Sequence, residues 1–127
     1  MLSINVAALA DHRPALPAYY DATVTCTDNA PASFATSSAV ATLGRVLFYD
    51  KRLSVNNTVA CASCHQASFG FSDPNRFSTS FAGNTFTTAH SMRLANVRYW
   101  QPASMFWDHR AATLEAQASQ PAAPAPG

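Results

Sequence analysis

Val40, Leu43 and Leu47 recur at helical spacing after Ser37 and Ser38. The pattern predicts an amphipathic helix capped by one of those serines and running to about Phe48. Tyr49-Asp50-Lys51-Arg52 ends it, and residues 53–58 form a turn-rich link. A second, short helix is expected from Val59 to about Ala67. Leu94, Val97 and Arg98 share a register that predicts a helix over Met92–Tyr99, and Ala111 to Ser119 is helical in composition, stopped by Pro121. Between these, residues 75–90 are polar, contain Gly83 and Asn84, and are expected to form a long surface loop. Residues 1–35 hold Pro14, Pro17 and Pro31 with little periodicity. They read as an irregular arm around the domain, with at most a short helix near Asn5–Ala10. Residues 121–127 are an Ala/Pro tail expected to be disordered. The chain thus divides into an arm (1–35), one mostly α domain (36–120) with few helices and long loops, and the tail.

The predicted second helix carries the chemistry. Cys61-Ala62-Ser63-Cys64-His65 is C-x-x-C-H, the attachment signal for a c-type haem. Two thiols three positions apart lie on one side of a helical turn, where each can add to a porphyrin vinyl group. The histidine that follows then offers its imidazole to the iron as proximal ligand. The alternatives for a C-x-x-C pair are half a zinc site or a redox disulfide. A zinc site needs a second ligand pair, and the remaining cysteine, Cys26, is alone and far upstream. A redox motif would sit in a βαβ pattern, which is not evident. One covalent haem c in a cytochrome c-like domain is therefore the expectation. Phe69 and Phe71 follow the motif and are expected to keep water from the porphyrin edge. Cys26 reads as a free, partly buried thiol.

Composition narrows the function further. Charged residues make up only 12% of the chain and the net charge is +1, so there is no basic field for nucleic acid. No run of eighteen apolar residues occurs, so no membrane span is expected. A c-type haem is attached outside the bacterial cytoplasm, which makes the periplasm the expected location, although no signal peptide is visible.

Several segments resemble the bacterial di-haem cytochrome c peroxidase family in the family's own order. Leu43-Gly44-Arg45-Val46-Leu47-Phe48-Tyr49-Asp50-Lys51-Arg52-Leu53-Ser54 is similar to the stretch before its first haem motif. Gly70-Phe71-Ser72-Asp73 continues the match after His65, and Phe106-Trp107-Asp108-His109-Arg110-Ala111 resembles its F-W-D-G-R-A segment. His90-Ser91-Met92-Arg93-Leu94-Ala95-Asn96 resembles the branch that contains the methylamine-utilisation di-haem enzymes. The resemblance implies the N-terminal, peroxide-reducing haem domain of a two-domain protein. It assigns Cys61 and Cys64 to the thioethers and His65 to the proximal position. It makes Trp107 an electron relay between two haems, Arg110 the arginine of the F-W-D-G-R-A segment, and Gln117 a distal glutamine near the peroxide site. Hydrogen peroxide would be the substrate, and a second haem domain, a small cytochrome or a cupredoxin the electron donor.

Three departures qualify the match. The family's catalytic glutamate falls beyond Gln117, where this chain enters its Ala/Pro tail, and Glu115 is not at the matching position. The loop that often carries a distal histidine reads Ser80-Phe81-Ala82-Gly83. The Arg-Asn pair whose asparagine helps hold calcium is replaced by Ala89-His90, which puts calcium in doubt. The sixth iron position is then either open or filled by His90 or Met92, with Met105, His109 and His12 as further candidates. An open site favours peroxide reduction with electrons from a second haem. A filled site favours a mono-haem electron carrier, and a truncated remnant without activity is the third alternative.

Overall fold

A computed structural model of the chain describes residues 15–20, 22–31, 36–101 and 103–120. Four α-helices occur among them: α1 (Ala22–Thr25), α2 (Ser38–Tyr49), α3 (Cys61–Cys64) and α4 (Leu114–Ser119). Single 3-10 turns lie at Lys51–Leu53, Ala67–Phe69 and Val97–Tyr99. Strand pairing among the described residues is confined to isolated bridges: Gln66 with Ser72, Thr79 with Phe86, and Met105 with Ala111. The class is therefore mostly α with long connections, as the pattern predicted. The helix expected near Asn5–Ala10, the Ala/Pro tail and His12 lie outside the described residues.

The longest helix follows its sequence closely. Ser37 caps α2, its side chain accepting from the backbone N–H of Val40 at 3.3 Å. Such a cap contributes about 1 kcal/mol. Asp50 ends the helix in extended backbone and restarts the chain, its carboxylate accepting from the backbone N–H and the guanidinium of Arg52. Those bonds, the side-chain one foremost, hold the Asp50 carboxyl down at about 2.

Three expectations about helices are corrected. The haem-motif helix spans only Cys61–Cys64, because the chain turns back after His65: the N–H of Phe71 donates to the Gln66 carbonyl and that of Gln66 to the Ser72 carbonyl. The helix expected over Met92–Tyr99 is absent, with a single turn at Val97–Tyr99 in its place. Asn96 stands there at φ +61, in left-handed backbone that cannot propagate a right-handed helix. The last helix begins at Leu114, with Thr113 as its cap, since Ala111 is already paired with Met105.

Side-chain bonds hold the loops. The segment 78–87 folds back on itself through backbone bonds Thr87 to Ser78 and Ser80 to Thr85, with Gly83 at φ +78 in its turn. It is tied to the link before the haem motif where Asn56 and Thr58 both donate to the Phe81 carbonyl. The N-terminal segment lies against residues 96–100. Asn29 donates to the Val97 and Trp100 carbonyls, Arg98 pairs with Asp28, and Tyr20 donates to Asn96 while its ring meets Tyr99 edge-on. Cys26 is exposed rather than partly buried, its thiol 3.1 Å from the Thr23 carbonyl.

An apolar core is almost missing among the described residues. Among the described residues only Met105 (5% exposed) and Ala111 (1%) are buried apolar side chains. The stripe of α2 stays uncovered: Leu43, Val46 and Leu47 are all exposed. Burying one such side chain is worth roughly 1.5–3 kcal/mol. This leaves, among the described residues, an apolar face on α2 that is available to a further apolar body.

Candidate haem site

Helices α2 and α3 pack together and bring the C-x-x-C-H motif beside the end of α2. An apolar cleft of about 420 Å³ opens there, lined by Gly44, Arg45, Phe48, Tyr49, Phe71 and Leu94. Phe48 and Phe71 meet edge to face across 6.1 Å. Gly44 has open space where a side chain would project. Phe69 and Phe71 are both exposed, as is Cys61, while Cys64 and His65 are half-buried. Ser63 fastens the start of α3, its hydroxyl accepting from the backbone N–H of Ala60 at 3.0 Å.

His65 is oriented by the loop that follows it. Its Nδ1 lies 3.0 Å from the Phe71 carbonyl oxygen. A carbonyl only accepts, so Nδ1 carries the proton and Nε2 keeps its lone pair for a metal. A ligating histidine commonly donates its other ring nitrogen to such a partner. Phe71 reaches this position in left-handed backbone, at φ +58, directly after Gly70 at φ +64. For a bulky residue that conformation costs on the order of 1–3 kcal/mol. It persists because Ser72, one residue on, is buried and held from three directions.

Those three directions belong to a polar network that sequence reasoning missed. The Ser72 carbonyl accepts from Gln66, and the single hydroxyl proton is shared between the Ser91 carbonyl at 2.9 Å and Nε2 of His90 at 3.0 Å, because Nδ1 of His90 faces two carbonyls and must itself donate. Ser78, 1% exposed, donates to the Asp73 carboxylate at 2.6 Å and lies 2.7 Å from the Ser91 hydroxyl. Burial pushes the Asp73 carboxyl up, but bonds from Ser78 and Asn75 and the charge of His90 outweigh it and leave the group below its ordinary value. Scattered serines carry no sequence signal. Only the fold shows that residues 72, 78 and 91 meet.

The remaining candidates are placed as follows. His90 has both ring nitrogens engaged, Nε2 as above and Nδ1 at 3.1 Å and 3.2 Å from the carbonyls of Asn75 and Arg76. Met92 is half-buried, and Met105 sits in the bridge with Ala111. His109 bonds through Nδ1 to the Ser104 hydroxyl. Trp107 is 62% exposed, its indole N–H donating to the His90 carbonyl at 2.9 Å. Arg110 pairs with Asp108, donates to Gln120 and stacks 3.7 Å from the Phe106 ring centre. Gln117 is half-buried on α4. Among the described residues no three His, Cys, Asp or Glu side chains converge on a point that could hold a bare metal ion. Also among them, no helix is long and apolar enough to cross a membrane.

These residues fit a haem. The cleft offers apolar walls, two free thiols stand on the turn of α3, which packs against the α2 wall, and His65 has its outer nitrogen satisfied by Phe71, itself part of the wall.

Comparison with known proteins agrees. The family model for di-haem cytochrome c peroxidase matches residues 38–125. The methylamine utilization protein MauG of Methylophilus methylotrophus is 38% identical over 97 residues, covering 72% of this chain and 27% of that protein. Cytochrome c peroxidase Ccp of Escherichia coli is 35% identical over 96 residues, covering 72% and 19%. Among solved structures, a MauG-like protein associated with microbial copper homeostasis superposes with a TM-score of 0.66 at 32% identity, over 72% of this chain and 28% of that one. The chain thus spans about a quarter of the length of the relatives it matches. With two thirds of its residues under one family model and the haem motif standing beside an apolar cleft, the chain belongs to the di-haem cytochrome c peroxidase family.

Proposed function

We propose that this chain is the peroxide-reducing haem domain of a periplasmic di-haem peroxidase. Cys61 and Cys64 attach one haem c covalently, His65 ligates its iron through Nε2, and electrons arrive from a second haem domain. The carrying observation is the bond from His65 Nδ1 to Phe71, which joins the proximal nitrogen's orientation to the wall of the apolar cleft.

A haem held by Cys61, Cys64 and His65 would supply an iron at which peroxide, given two electrons from the second haem domain and two protons, would be reduced to two waters. The chain's own residues do the rest. Phe48, Phe69 and Phe71 keep bulk water from the porphyrin edge, which lowers the local dielectric around the reacting charge. Gln117, a neutral amide, orients peroxide by hydrogen bonding and donates no proton to it outright. Trp107, exposed and fixed by its indole N–H, serves as the relay to the partner haem. Arg110 stiffens the loop that carries Trp107 through Asp108, Phe106 and Gln120. The two ring bonds of His90 argue against its ligating iron.

The test is the absorption spectrum of the chain matured with a c-type haem machinery. Covalent haem with a high-spin ferric spectrum, shifting on addition of cyanide, is expected. Absence of covalent haem would overturn the reading. A low-spin spectrum in both oxidation states would replace it with a mono-haem electron carrier.

A further inference from the structure

His90 connects two parts of the site that the sequence keeps far apart. On one side its ring meets the Ser72 hydroxyl, and Ser72 continues directly from the Phe71 carbonyl that accepts from His65. On the other side its own carbonyl accepts from the Trp107 indole. The ring cannot swing, because Nδ1 is held by two carbonyls of the segment 75–76. Ser91 reinforces the same point, accepting from Ser72 through its carbonyl and meeting Ser78 through its hydroxyl. Phe71 lies in left-handed backbone, and the anchored Ser72, with the backbone bonds Phe71 to Gln66 and Gln66 to Ser72, keeps its carbonyl in its direction.

We infer that His90 is a positioning residue: through Ser72 it sets the Phe71 carbonyl against His65, while its own backbone carbonyl holds Trp107 on the same support. This rests on the assignment of His65 as proximal ligand. A hydrogen bond to the outer nitrogen of a ligating histidine raises the ligand's basicity and favours the oxidised metal. Loosening Ser72 weakens that bond and raises the reduction potential.

The experiment is a redox titration of the haem-loaded chain and three single variants, with the double variant. His90→Ala and Ser72→Ala each raise the potential. The double variant raises it no more than Ser72→Ala alone, since Ser72→Ala already removes the link to His90 together with the bond to Ser91. His90→Gln, which keeps a polar group toward Ser72, stays near the parent value. Should His90→Ala fail to take up haem, His90→Phe removes the ring nitrogens, keeps the bond of Ser72 to Ser91 and takes its place. An unchanged potential in the His90 variant or in Ser72→Ala, or a double variant that exceeds Ser72→Ala, overturns the inference and leaves the haem assignment standing. A change from low-spin to high-spin absorption in His90→Ala would make His90 an iron ligand and also overturn it. A parent chain without covalent haem overturns both readings together.

Discussion

At the scale of single residues, the site depends on side chains whose partners are settled. Cys61 and Cys64 are free thiols on one turn, so each is expected to form its own thioether. Cys64→Ala should leave a haem with one unreacted vinyl group, read as a pyridine haemochrome band at longer wavelength than the parent's. Removing both thiols should leave no haem on the chain after denaturation. Asp73 gives a pH prediction. Its folded-state value is depressed, so its contribution is fully present above the ordinary carboxylate value of about 4 and is lost as pH falls through the lower folded value. Asp73→Asn should cost about 1–3 kcal/mol at neutral pH. It should also flatten the acid limb of the thermal midpoint below about pH 4. An unchanged acid limb would show that another carboxylate governs it.

At the scale of elements, local signals decided what formed wherever a cap or break was written in side-chain chemistry. Ser37→Ala should destabilise the haem-loaded chain by about 1 kcal/mol in a denaturant titration, since α2 loses its cap. Gly70→Ala should cost a similar amount, about 1 kcal/mol, because Gly70 stands at φ +64 with open space around it. That cost is purely conformational, and an Asn at the same place should recover part of it. The helix expected over Met92–Tyr99 failed for the converse reason. Its apolar register is real, but Leu94 serves the cleft and Asn96 stands in left-handed backbone, where a right-handed helix stops. Short helices carry little propensity of their own, and tertiary contacts override them.

At the scale of the whole molecule, the scarcity of buried apolar side chains is the governing fact. The haem-free chain should bind a hydrophobic dye strongly and melt without a cooperative transition. The haem-loaded chain should do neither, as followed by dye fluorescence and far-ultraviolet circular dichroism. A sharp transition in the haem-free chain would contradict a core completed by the cofactor. Thiol spacing, the histidine after it and the capped apolar stripe of α2 were legible in the chain alone, because each is a local pattern that acts over one or two helical turns. The class followed from them, and the family resemblance from the segments 43–54, 70–73, 90–96 and 106–111. The tertiary structure alone decided that Phe71 turns its carbonyl to His65, that both nitrogens of His90 are engaged, and that serines 72, 78 and 91 share one buried cluster. Those are meetings of residues up to 19 positions apart, set by chain reversals in irregular loops, where no period in the sequence records which side chains will face each other.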